Sequence, residues 1–327
     1  MRAAVCHAHG SFENLGIEDV SPPVAGDGQV LVAVHAAAVN FPDLLLLANR
    51  YQISVQPPFV PGSEVAGIVH AVGPRVERVR PGNLVCGQTL IGGFAEQVAL
   101  EPGGLIVLPE GTDLYRAAAF GVAYSTAYHA LRSVACVRPG ETLLVLGAAG
   151  GVGLATVDSG RELGARVIAA AGSEDKLAVC REYGAWATVN YGSEDLKERV
   201  KELTGGRGVD VVIDPVGGSY AEPALRATAW RGRYVSVGFA AGEIPRIPLN
   251  LLLLKGSQLT GFTIGSLLAN APHEAERNRS ELLDLFLSQR IRPRISAVYP
   301  LTETVRALRD VAERRAIGKV IIDPRRH

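Results

Sequence analysis

The chain has 327 residues, enough for two domains with substantial cores. Its 33 basic and 33 acidic residues cancel at neutral pH, so no net charge attracts nucleic acid or an anionic membrane. The four cysteines show no paired spacing, which indicates a reducing compartment rather than a disulfide framework. The apolar run at the N-terminus is too short for a signal peptide, and no stretch reaches the roughly 18 apolar residues of a membrane helix. We therefore predict a cytoplasmic protein without nucleic-acid or membrane partners.

Short β-prone runs separated by turn signals fill the first third of the chain. The runs are GQVLVAVHAAAVN, SEVAGIVHAVG, NLVCGQ and GGFAEQVALE, and turns such as PPVAGDG and VRPGN separate them. This pattern predicts a compact β-rich domain over residues 1–122. From about Ala117 the apolar residues take helical spacing instead, which predicts helix at the approach to a second domain.

Strand and helix patterns alternate beyond residue 122. After a buried strand at Leu143, the candidate strands are RVIAAA, ATVNY, VDVVIDPV, GRYVSVG and QLTGFT, with helical segments such as SEDKLAVCREYG between them. This alternation predicts an α/β fold, with a doubly wound parallel Rossmann sheet over residues 123–265. We expect residues 266–327 to return to the first domain and complete it, leaving a cleft between the two halves.

One glycine-rich stretch, LLVLGAAGGVGLATV over residues 143–157, joins a predicted strand to a predicted helix. It carries the dinucleotide-binding pattern with Ala148 in the place of the first glycine. Glycines allow a tight turn and let main-chain N–H groups approach a diphosphate at the positive end of the helix. We predict that the diphosphate is bound by five consecutive residues: Ala149, Gly150, Gly151, Val152 and Gly153. The alternative, a flexible turn in an unrelated α/β domain, is disfavoured by the apolar flanks.

The end of the second predicted Rossmann strand bears on which nicotinamide cofactor is bound. In NAD-selective folds, a carboxylate about 20 residues beyond the glycine turn binds the ribose 2′-hydroxyl. Here the chain reads AAGS over residues 170–173, so no carboxylate at the strand end repels a 2′-phosphate. The sequence therefore favours NADPH, although Glu174 and Asp175 place two negative charges nearby.

Six segments occur together in an order and spacing typical of one family: VNFPDLL, FVPGSEVAGIVHAVG, STAYHAL, GAAGGVG, LTGGRGVDVVIDPVGG and GKVII. Over essentially its whole length, the chain resembles the zinc-free, zeta-crystallin-like quinone oxidoreductase branch of the medium-chain dehydrogenase/reductase superfamily. The resemblance implies a β-rich, GroES-like catalytic domain split between the chain ends, with the Rossmann domain inserted in it. It also implies NADPH as hydride donor and a homodimer formed through Rossmann sheet edges, near SQLTGFT.

The resemblance also bears on metal binding. The zinc alcohol dehydrogenases of the same superfamily have a cysteine at the position of Asn40, a histidine at the position of Ser63, and a four-cysteine lobe that is missing here. Because Glu64 alone cannot make a zinc site and the histidines lack ligand spacing, we predict that no metal is bound. Glu64 is expected to anchor its loop by hydrogen bonds, and Asp43 to cap the helix that follows.

Several cofactor contacts follow from the resemblance. Ser173, Lys176 and Tyr191 match positions that hold the 2′-phosphate, where Ser173 would offer a hydroxyl and Lys176 a point charge. Alternatively, Ser173 is an ordinary helix N-cap and Lys176 a solvated helix residue. Further residues implied to contact the cofactor are Asn40, Thr126, Pro215, Val216, Phe239, Ala240, Phe262 and Lys319. For Lys319 the alternative is a lysine at a strand edge.

Without zinc to ionise an alcohol, the expected reaction is hydride transfer to a small electrophilic acceptor, either a quinone or an α,β-unsaturated carbonyl compound. Such a protein must mainly align the donor and acceptor carbons and exclude water. The candidate catalytic residues are Asn40, Tyr51 and Thr126. Alternatively, Asn40 is a buried turn residue and Tyr51 a half-buried aromatic. Residues 262–278 are expected to form a loop beside the acceptor.

Two other functions stay open on the sequence alone. An enoyl thioester reductase, acting for example on enoyl-CoA, shares hydride delivery to a β-carbon. It needs a basic entrance for the coenzyme A tail, for which Arg50 is a solitary candidate. A non-catalytic nucleotide-binding protein that acts through partners or RNA is disfavoured by the neutral net charge and by the candidate site residues.

Overall fold

The computed structural model describes residues 1–326 and divides into two compact units. The first unit comprises Met1–Val122 together with the chain from Pro293 onward, and the second comprises Ala123–Arg292. Within the described residues, no helix combines the length and the apolar character required to cross a bilayer.

The first part of the chain is mostly β-structure, in keeping with its valine-rich alternating runs. Its strands and helices are β1 (Arg2–Val5), β2 (Gly16–Asp19), β3 (Val30–Val39), α1 (Phe41–Leu47), β4 (Glu64–Val72), β5 (Leu84–Gln88), β6 (Gln97–Leu100), β7 (Leu105–Leu108) and α2 (Leu114–Ala118). Two 3₁₀ helices add to them, at Phe12–Asn14 and Pro102–Gly104.

Alternating helices and strands then build the second unit. They are α3 (Gly121–His129), β8 (Thr142–Leu146), α4 (Gly151–Glu162), β9 (Arg166–Ala171), α5 (Glu174–Glu182), β10 (Ala187–Asn190), α6 (Leu196–Leu203), β11 (Val209–Asp214), α7 (Ala221–Arg226), β12 (Thr228–Ser236), α8 (Asn250–Lys255), β13 (Gln258–Gly261), α9 (Ile264–Asn270) and α10 (Pro272–Leu287). A π-helical turn over Ala130–Val134 extends α3, and a 3₁₀ turn over Gly218–Tyr220 precedes α7.

The end of the chain returns to the first unit. It contains β14 (Ile295–Pro300), a 3₁₀ turn (Leu301–Glu303), α11 (Thr304–Ala312) and β15 (Lys319–Asp323). Strand β15 pairs antiparallel with β3, which places Ile321 opposite Ala38. The final strand therefore completes a sheet that the first third of the chain begins.

The first unit contains a seven-stranded sheet in the order β14-β15-β3-β4-β5-β7, with β6 paired to β3. Only β14 and β15 run parallel, and β1 and β2 form a separate antiparallel pair. A buried aliphatic core packs against this sheet, centred on residues such as Val32, Val65, Phe94 and Ile322. Because β15 lies between β14 and β3, Lys319 stands in an interior strand, and the alternative of a strand-edge lysine was wrong.

The second unit contains a six-stranded parallel sheet in the order β10-β9-β8-β11-β12-β13. Numbered from the first strand of the unit, this is the 3-2-1-4-5-6 order of a doubly wound dinucleotide-binding sheet. The central strand β8 is fully buried, as expected for a parallel sheet covered by helices on both faces. The predicted parallel Rossmann sheet is confirmed. Its topological switch point lies between β8 and β11.

Residues 266–292 differ from the expectation that they belong to the return segment. They form most of α9 and all of α10 and lie in the second unit, so the chain re-enters the first unit at Pro293. The hydrogen bond from the Tyr128 hydroxyl to Glu281 (2.8 Å) ties α10 to α3. Most of residues 262–278, expected as a loop, is helical, because Thr263 caps α9 and Pro272 begins α10.

The polar residues in the middle of α4 are buried. Asp158 accepts hydrogen bonds from the Tyr124 hydroxyl (2.9 Å) and the Arg292 main chain (2.8 Å), so its carboxylate is satisfied inside the unit. A Cβ at Gly160 would lie 2.7 Å from a Leu143 methyl group, so the glycine lets α4 pack closely against β8. Asp158 and Gly160 in the middle of α4 therefore serve the packing of this unit.

Candidate functional site

The glycine turn, Gly147–Gly153, connects β8 to α4 in the second unit. Gly147 has a positive φ of 56°, and the Gly150 N–H donates to the Gly147 carbonyl at 2.9 Å. Gly150 is the N-cap of α4, and no side chain caps that helix end. The first N–H groups of a helix have no acceptors within the helix, so this turn presents them to an anion.

The spacing inside the glycine turn leaves no room for a side chain at one position. A Cβ on Gly153 would lie 2.1 Å from the Gly147 carbonyl oxygen, whereas a Cβ on Gly150 would stay 3.4 Å away from that oxygen. Ala148, which replaces the first glycine of the pattern, is fully buried, and its N–H donates to Ala170 at 3.0 Å. The turn is thus held against β9 while its main chain stays close to α4.

A second loop lies beside the glycine turn, at the carboxyl end of β11. The buried Asp214 carboxylate accepts hydrogen bonds from the main-chain N–H groups of Val216 (2.7 Å) and Gly217 (2.8 Å) and from the Tyr234 hydroxyl. A Val216 methyl group lies 2.6 Å from where a Gly147 Cβ would stand. Asp214 therefore shapes the loop that carries Pro215 and Val216 at the switch point, where parallel sheets bind ligands.

Three further residues predicted to contact the cofactor follow the last two strands of the sheet. Phe239 follows β12 and is partly exposed, and its ring lies 2.8 Å from where a Cβ on Gly217 would stand. The Ala240 N–H donates to the Pro215 carbonyl at 3.1 Å, which joins this loop to the one after β11. Phe262 directly follows β13 and is partly buried. All of these residues lie at the carboxyl edge of the sheet.

The strand end predicted to meet a 2′-phosphate is formed by Gly172 and Ser173. Ser173 occupies the N-cap position of α5, but its hydroxyl makes no capping hydrogen bond. The Tyr191 ring lies 3.4 Å from where a Cβ on Gly172 would stand, and it meets the Tyr220 ring at a tilt of 37° with 4.3 Å between the centroids. Lys176, one turn into α5, is partly buried. Gly172 and Tyr191 are thus brought into contact.

The two acidic residues at the start of α5 differ in whether a cation compensates their charge. The Glu174 carboxylate forms an ion pair with Arg181, which also donates to Thr188 at 3.1 Å. Asp175 is exposed to solvent. One of the two negative charges beside the strand end is therefore compensated by a cation on the same helix.

In the first unit, five polar residues from three stretches of the chain form a polar cluster: Asn40, Asp43, Ser63, Glu64 and Lys319. The Lys319 ammonium donates to Val39 O (3.2 Å), to Asn40 Oδ1 and to Glu64 Oε2 (3.2 Å). An ammonium has three N–H donors, so this set uses all of them. Lys319 is 5% exposed and forms a buried ion pair with Glu64.

The Asn40 amide is held at both ends inside the polar cluster. Its Nδ2 donates to Glu64 Oε2 at 3.0 Å and to Ala38 O at 3.3 Å, while its Oδ1 accepts from Lys319. An amide has two N–H donors, so only a lone pair on Oδ1 is left for a further partner. Asn40 is buried and stands at the N-cap of α1, which is the geometry of the structural alternative.

Glu64 also contacts the main chain of Val122, which belongs to the first unit. Its Oε1 accepts a hydrogen bond from the Val122 main-chain N–H at 2.7 Å, while Oε2 accepts from Asn40 and Lys319. The prediction that Glu64 anchors its loop by hydrogen bonds is confirmed. Thr126 lies further along α3 and is partly exposed.

Asp43 is the remaining carboxylate of the polar cluster. Its Oδ2 accepts from the Asn40 main-chain N–H (2.7 Å), so Asp43 caps α1 as predicted, and its Oδ1 accepts from the Ser63 hydroxyl (2.9 Å). Burial raises the pKa of Asp43 to about 6, although these hydrogen bonds and Lys319 act in the opposite direction. Tyr51, predicted to be catalytic, is half-buried and packs against the core of this unit.

The side chains of the polar cluster can be compared with those that bind metal ions. Within residues 1–326, no three His, Cys, Asp or Glu side chains come together as metal ligands. Glu64, the one carboxylate next to the positions compared with zinc ligands, is bound to an ammonium and a main-chain N–H. Sequence reasoning did not foresee the Lys319–Glu64 ion pair, because the two residues are 255 positions apart.

Comparisons with known proteins cover both units. The family "Alcohol dehydrogenase GroES-like domain" matches residues 26–110, and "Zinc-binding dehydrogenase" matches residues 151–285. Quinone oxidoreductase-like protein 2 of Bos taurus is 41% identical over 98% of this chain and 92% of the relative. Quinone oxidoreductase of Pseudomonas aeruginosa is 36% identical over 97% of this chain and 98% of the relative.

A solved structure is similar to this protein in fold. Escherichia coli quinone oxidoreductase, crystallised in complex with NADPH, superimposes with a TM-score of 0.92 at 30% identity. The match covers 99% of this chain and 100% of that chain. Similarity in sequence and in structure therefore extends over the glycine turn and the polar cluster alike.

Proposed function

Because the chain belongs to the quinone oxidoreductase branch of the medium-chain dehydrogenase/reductase superfamily, we propose that it is an NADPH-dependent reductase. Its acceptor is a quinone or an α,β-unsaturated carbonyl compound, and the reaction needs no zinc. The glycine turn carries this proposal, because it offers main-chain N–H groups at the switch point of a parallel sheet. When bound, NADPH supplies the hydride that the electrophilic carbon of the acceptor takes up.

Different residues of the second unit bind different parts of the cofactor. The N–H groups of the glycine turn bind the diphosphate, and the loops carrying Val216 and Phe239 border the nicotinamide half. Ser173 and Lys176 hold the 2′-phosphate beside Tyr191. The Ser173 hydroxyl is available for this role because it does not cap its own helix. The Glu174–Arg181 ion pair reduces the repulsion between the start of α5 and a phosphate.

The polar cluster supports a reaction without zinc. The Ser63 hydroxyl donates to Asp43, and the Glu64 carboxylate is neutralised by Lys319, so neither is free to bind a metal ion. Without a Lewis acid to ionise an alcohol, reduction of an already electrophilic acceptor is the favoured direction. The protein then has to align the reacting carbons and exclude water from them.

A panel of acceptors tests this proposal. Purified protein is incubated with NADPH and, in turn, with quinones, enones, enals and enoyl thioesters, while NADPH absorbance is followed and bound metal is quantified. We expect oxidation of NADPH with quinones or enones in metal-free protein. Oxidation with enoyl thioesters alone identifies a thioester reductase. Tight NADPH binding without any oxidation identifies a non-catalytic nucleotide-binding protein, and a stoichiometric bound metal contradicts the zinc-free reaction.

We propose further that two copies of the chain associate through the second unit. Strand β13 has a neighbour on one side only, and nearby apolar side chains are exposed, including Trp230 (72%), Leu253 (84%) and Leu254 (73%). An unpaired strand edge beside apolar surface is typical of an interface between copies. Light scattering should report a dimer that Leu253→Asp dissociates and the control Val24→Asp, in the first unit, leaves intact. A monomeric unmodified protein contradicts this association.

A further inference from the structure

Two tyrosine rings meet at the carboxyl edge of the parallel sheet in the second unit. Tyr191 directly follows β10, and Tyr220 is the last residue of the 3₁₀ turn that precedes α7. Their rings are tilted by 37° with 4.3 Å between the centroids. Both tyrosines are partly buried and pack against the same hydrophobic core. Tyr191 is one of the residues proposed to hold the 2′-phosphate, so the residue that contacts its ring bears on that site.

The main chain around Tyr191 is fixed by contacts with the end of β9. The Tyr191 N–H donates to the Ala171 carbonyl at 3.1 Å, and a Cβ on Gly192 would lie only 2.9 Å from the Gly172 carbonyl oxygen. The Gly192 N–H also donates to the Asn190 side chain at 3.1 Å. These contacts fix the backbone, but a side chain can still adopt more than one rotamer on it. The position of the Tyr191 ring therefore depends on the groups that the ring touches.

A turn at the end of β11 determines where the Tyr220 ring stands. The buried Asp214 carboxylate accepts hydrogen bonds from the main-chain N–H groups of Val216 (2.7 Å) and Gly217 (2.8 Å). Gly217 and Gly218 both have a positive φ, of 66° and 58°, a conformation that favours glycine. The chain turns at these residues, shortly before Tyr220. The Tyr220 ring is thus held by a turn that does not depend on β10.

The two tyrosines lie on the side of the sheet where the adenosine half of a dinucleotide binds. In doubly wound folds the adenosine ribose lies at the end of the second strand of the unit, which is β9 here. Gly172 follows β9, and the Tyr191 ring lies 3.4 Å from where a Cβ on Gly172 would stand. Ser173 and Lys176 come next in the chain. A shift of the Tyr191 ring would therefore change the surface that meets the adenosine half.

We propose that Tyr220 is a positioning residue for NADPH, because its ring holds the Tyr191 ring in the orientation that contacts the 2′-phosphate. This role rests on the proposed phosphate contacts of Ser173, Lys176 and Tyr191. Tyr220 acts through Tyr191 and does not itself touch the phosphate. A close aromatic pair is more stable than its buried area alone explains, so an aliphatic side chain does not replace the Tyr220 ring. Since only NADPH carries the 2′-phosphate, the pair contributes to the preference for NADPH over NADH.

Variants that remove or keep the ring test this role in the full-length protein. Tyr220→Leu removes the ring but keeps an apolar side chain, Tyr220→Phe keeps the ring, and Tyr191→Leu removes its partner. The control is Tyr183→Leu, because Tyr183 is partly buried in the same unit but ends α5, at the amino edge of the sheet. Calorimetric titration measures the dissociation constants of NADPH, NADH and adenosine 2′,5′-bisphosphate, and thermal unfolding checks that each variant folds.

We expect Tyr220→Leu to weaken the binding of NADPH and of adenosine 2′,5′-bisphosphate by about fivefold and to change NADH binding little. Tyr220→Phe should keep the affinities of the unmodified protein, because the ring contact is retained, and so should the control. In the Tyr191→Leu background, Tyr220→Leu should cost no further affinity, because the ring on which Tyr220 acts is already absent.

Three results contradict the positioning role of Tyr220. The first is an unchanged NADPH affinity in Tyr220→Leu, and the second is an equal loss for NADPH and NADH. The third is a loss from Tyr220→Leu that is as large in the Tyr191→Leu background as in the unmodified protein, because Tyr220 then acts independently of Tyr191.

Lys176→Ala separates a failure of this role from a failure of the proposed phosphate site. If Lys176→Ala weakens NADPH but not NADH while Tyr220→Leu changes neither, the phosphate site stands and the role of Tyr220 is wrong. If Lys176→Ala and Tyr191→Leu both leave the preference for NADPH unchanged, the phosphate site is wrong, and the role of Tyr220 is wrong with it.

Discussion

The glycine turn and the polar cluster are built in opposite ways. The glycine turn consists of seven consecutive residues, and its close main-chain approach depends on the absence of a side chain at Gly153. The polar cluster uses side chains from three stretches of the chain that are up to 279 positions apart. The turn is therefore fixed by local backbone geometry, whereas the polar cluster exists only once the sheet of the first unit has formed. Substitutions in the two regions should accordingly fail for different reasons.

The largest effect is expected at the buried ion pair. Among residues 1–326, Lys319 is the only cation in an ion pair with Glu64, so Lys319→Met leaves that carboxylate buried and uncompensated, which should cost about 3–5 kcal/mol of unfolding free energy. Urea unfolding monitored by circular dichroism measures the loss. The double variant Lys319→Met/Glu64→Gln should recover part of it, and Lys197→Met on the surface should change little. A loss below about 1 kcal/mol for Lys319→Met contradicts a stabilising role of this pair.

The second effect concerns how stability depends on pH. The pKa of Asp43 is raised to about 6 in the folded protein, above its ordinary value of 3.8, so the folded state holds this proton more tightly. Stability from this group is present below pH 3.8 and is lost as pH rises through 6. Asp43→Asn should remove this dependence, worth about 3 kcal/mol over the window. Urea unfolding of both proteins at several pH values measures it.

Asp323 supplies a control with the opposite sign. Burial alone would raise the pKa of Asp323, but hydrogen bonds from Arg325 and Tyr115 outweigh it and lower the pKa. Its contribution to stability should therefore be lost as pH falls, and Asp323→Asn should shift the pH dependence in the direction opposite to Asp43→Asn. The same sign for both variants contradicts the raised pKa of Asp43.

The third effect separates two glycines of the same turn. Gly153→Ala would place a methyl group 2.1 Å from the Gly147 carbonyl, whereas Gly150→Ala meets nothing closer than 3.4 Å. We expect Gly153→Ala to lose about 1–3 kcal/mol of stability and to bind NADPH poorly. Gly150→Ala should fold as the unmodified protein does, because its φ of −75° suits alanine. Equal thermal midpoints for the two variants would show that the close approach is not needed.

The smallest effect tests cofactor choice. Lys176→Ala should weaken NADPH by about tenfold, because a charge-assisted contact to the 2′-phosphate is lost, and should change NADH binding little. Lys201→Ala, on α6, is the control and should change neither affinity. Fluorescence titration with both nucleotides measures the two dissociation constants. An equal loss for NADPH and NADH would remove Lys176 from the phosphate site.

The sequence was sufficient where structure depends on neighbours in the chain. The glycine turn, the parallel sheet and the cap by Asp43 each follow from residues a few positions apart, and the structure confirms them. It was insufficient where contacts join distant segments. Lys319 could be interpreted as an edge lysine because no residue near it in the chain reveals its contact with Glu64. Likewise, the sequence near α10 does not show that this helix belongs to the second unit, where the Tyr128 hydroxyl donates to Glu281.

We propose above all that a nucleotide held by the glycine turn gives its hydride to an electrophilic acceptor. A single-turnover experiment tests it directly: protein loaded with one equivalent of NADPH is mixed rapidly with each quinone or enone, and both reactants are quantified. We expect one acceptor molecule to be reduced for every NADPH consumed, and Gly153→Ala, which should bind NADPH poorly, to reduce far less. Persistent NADPH in the saturated complex with every acceptor tried would contradict it.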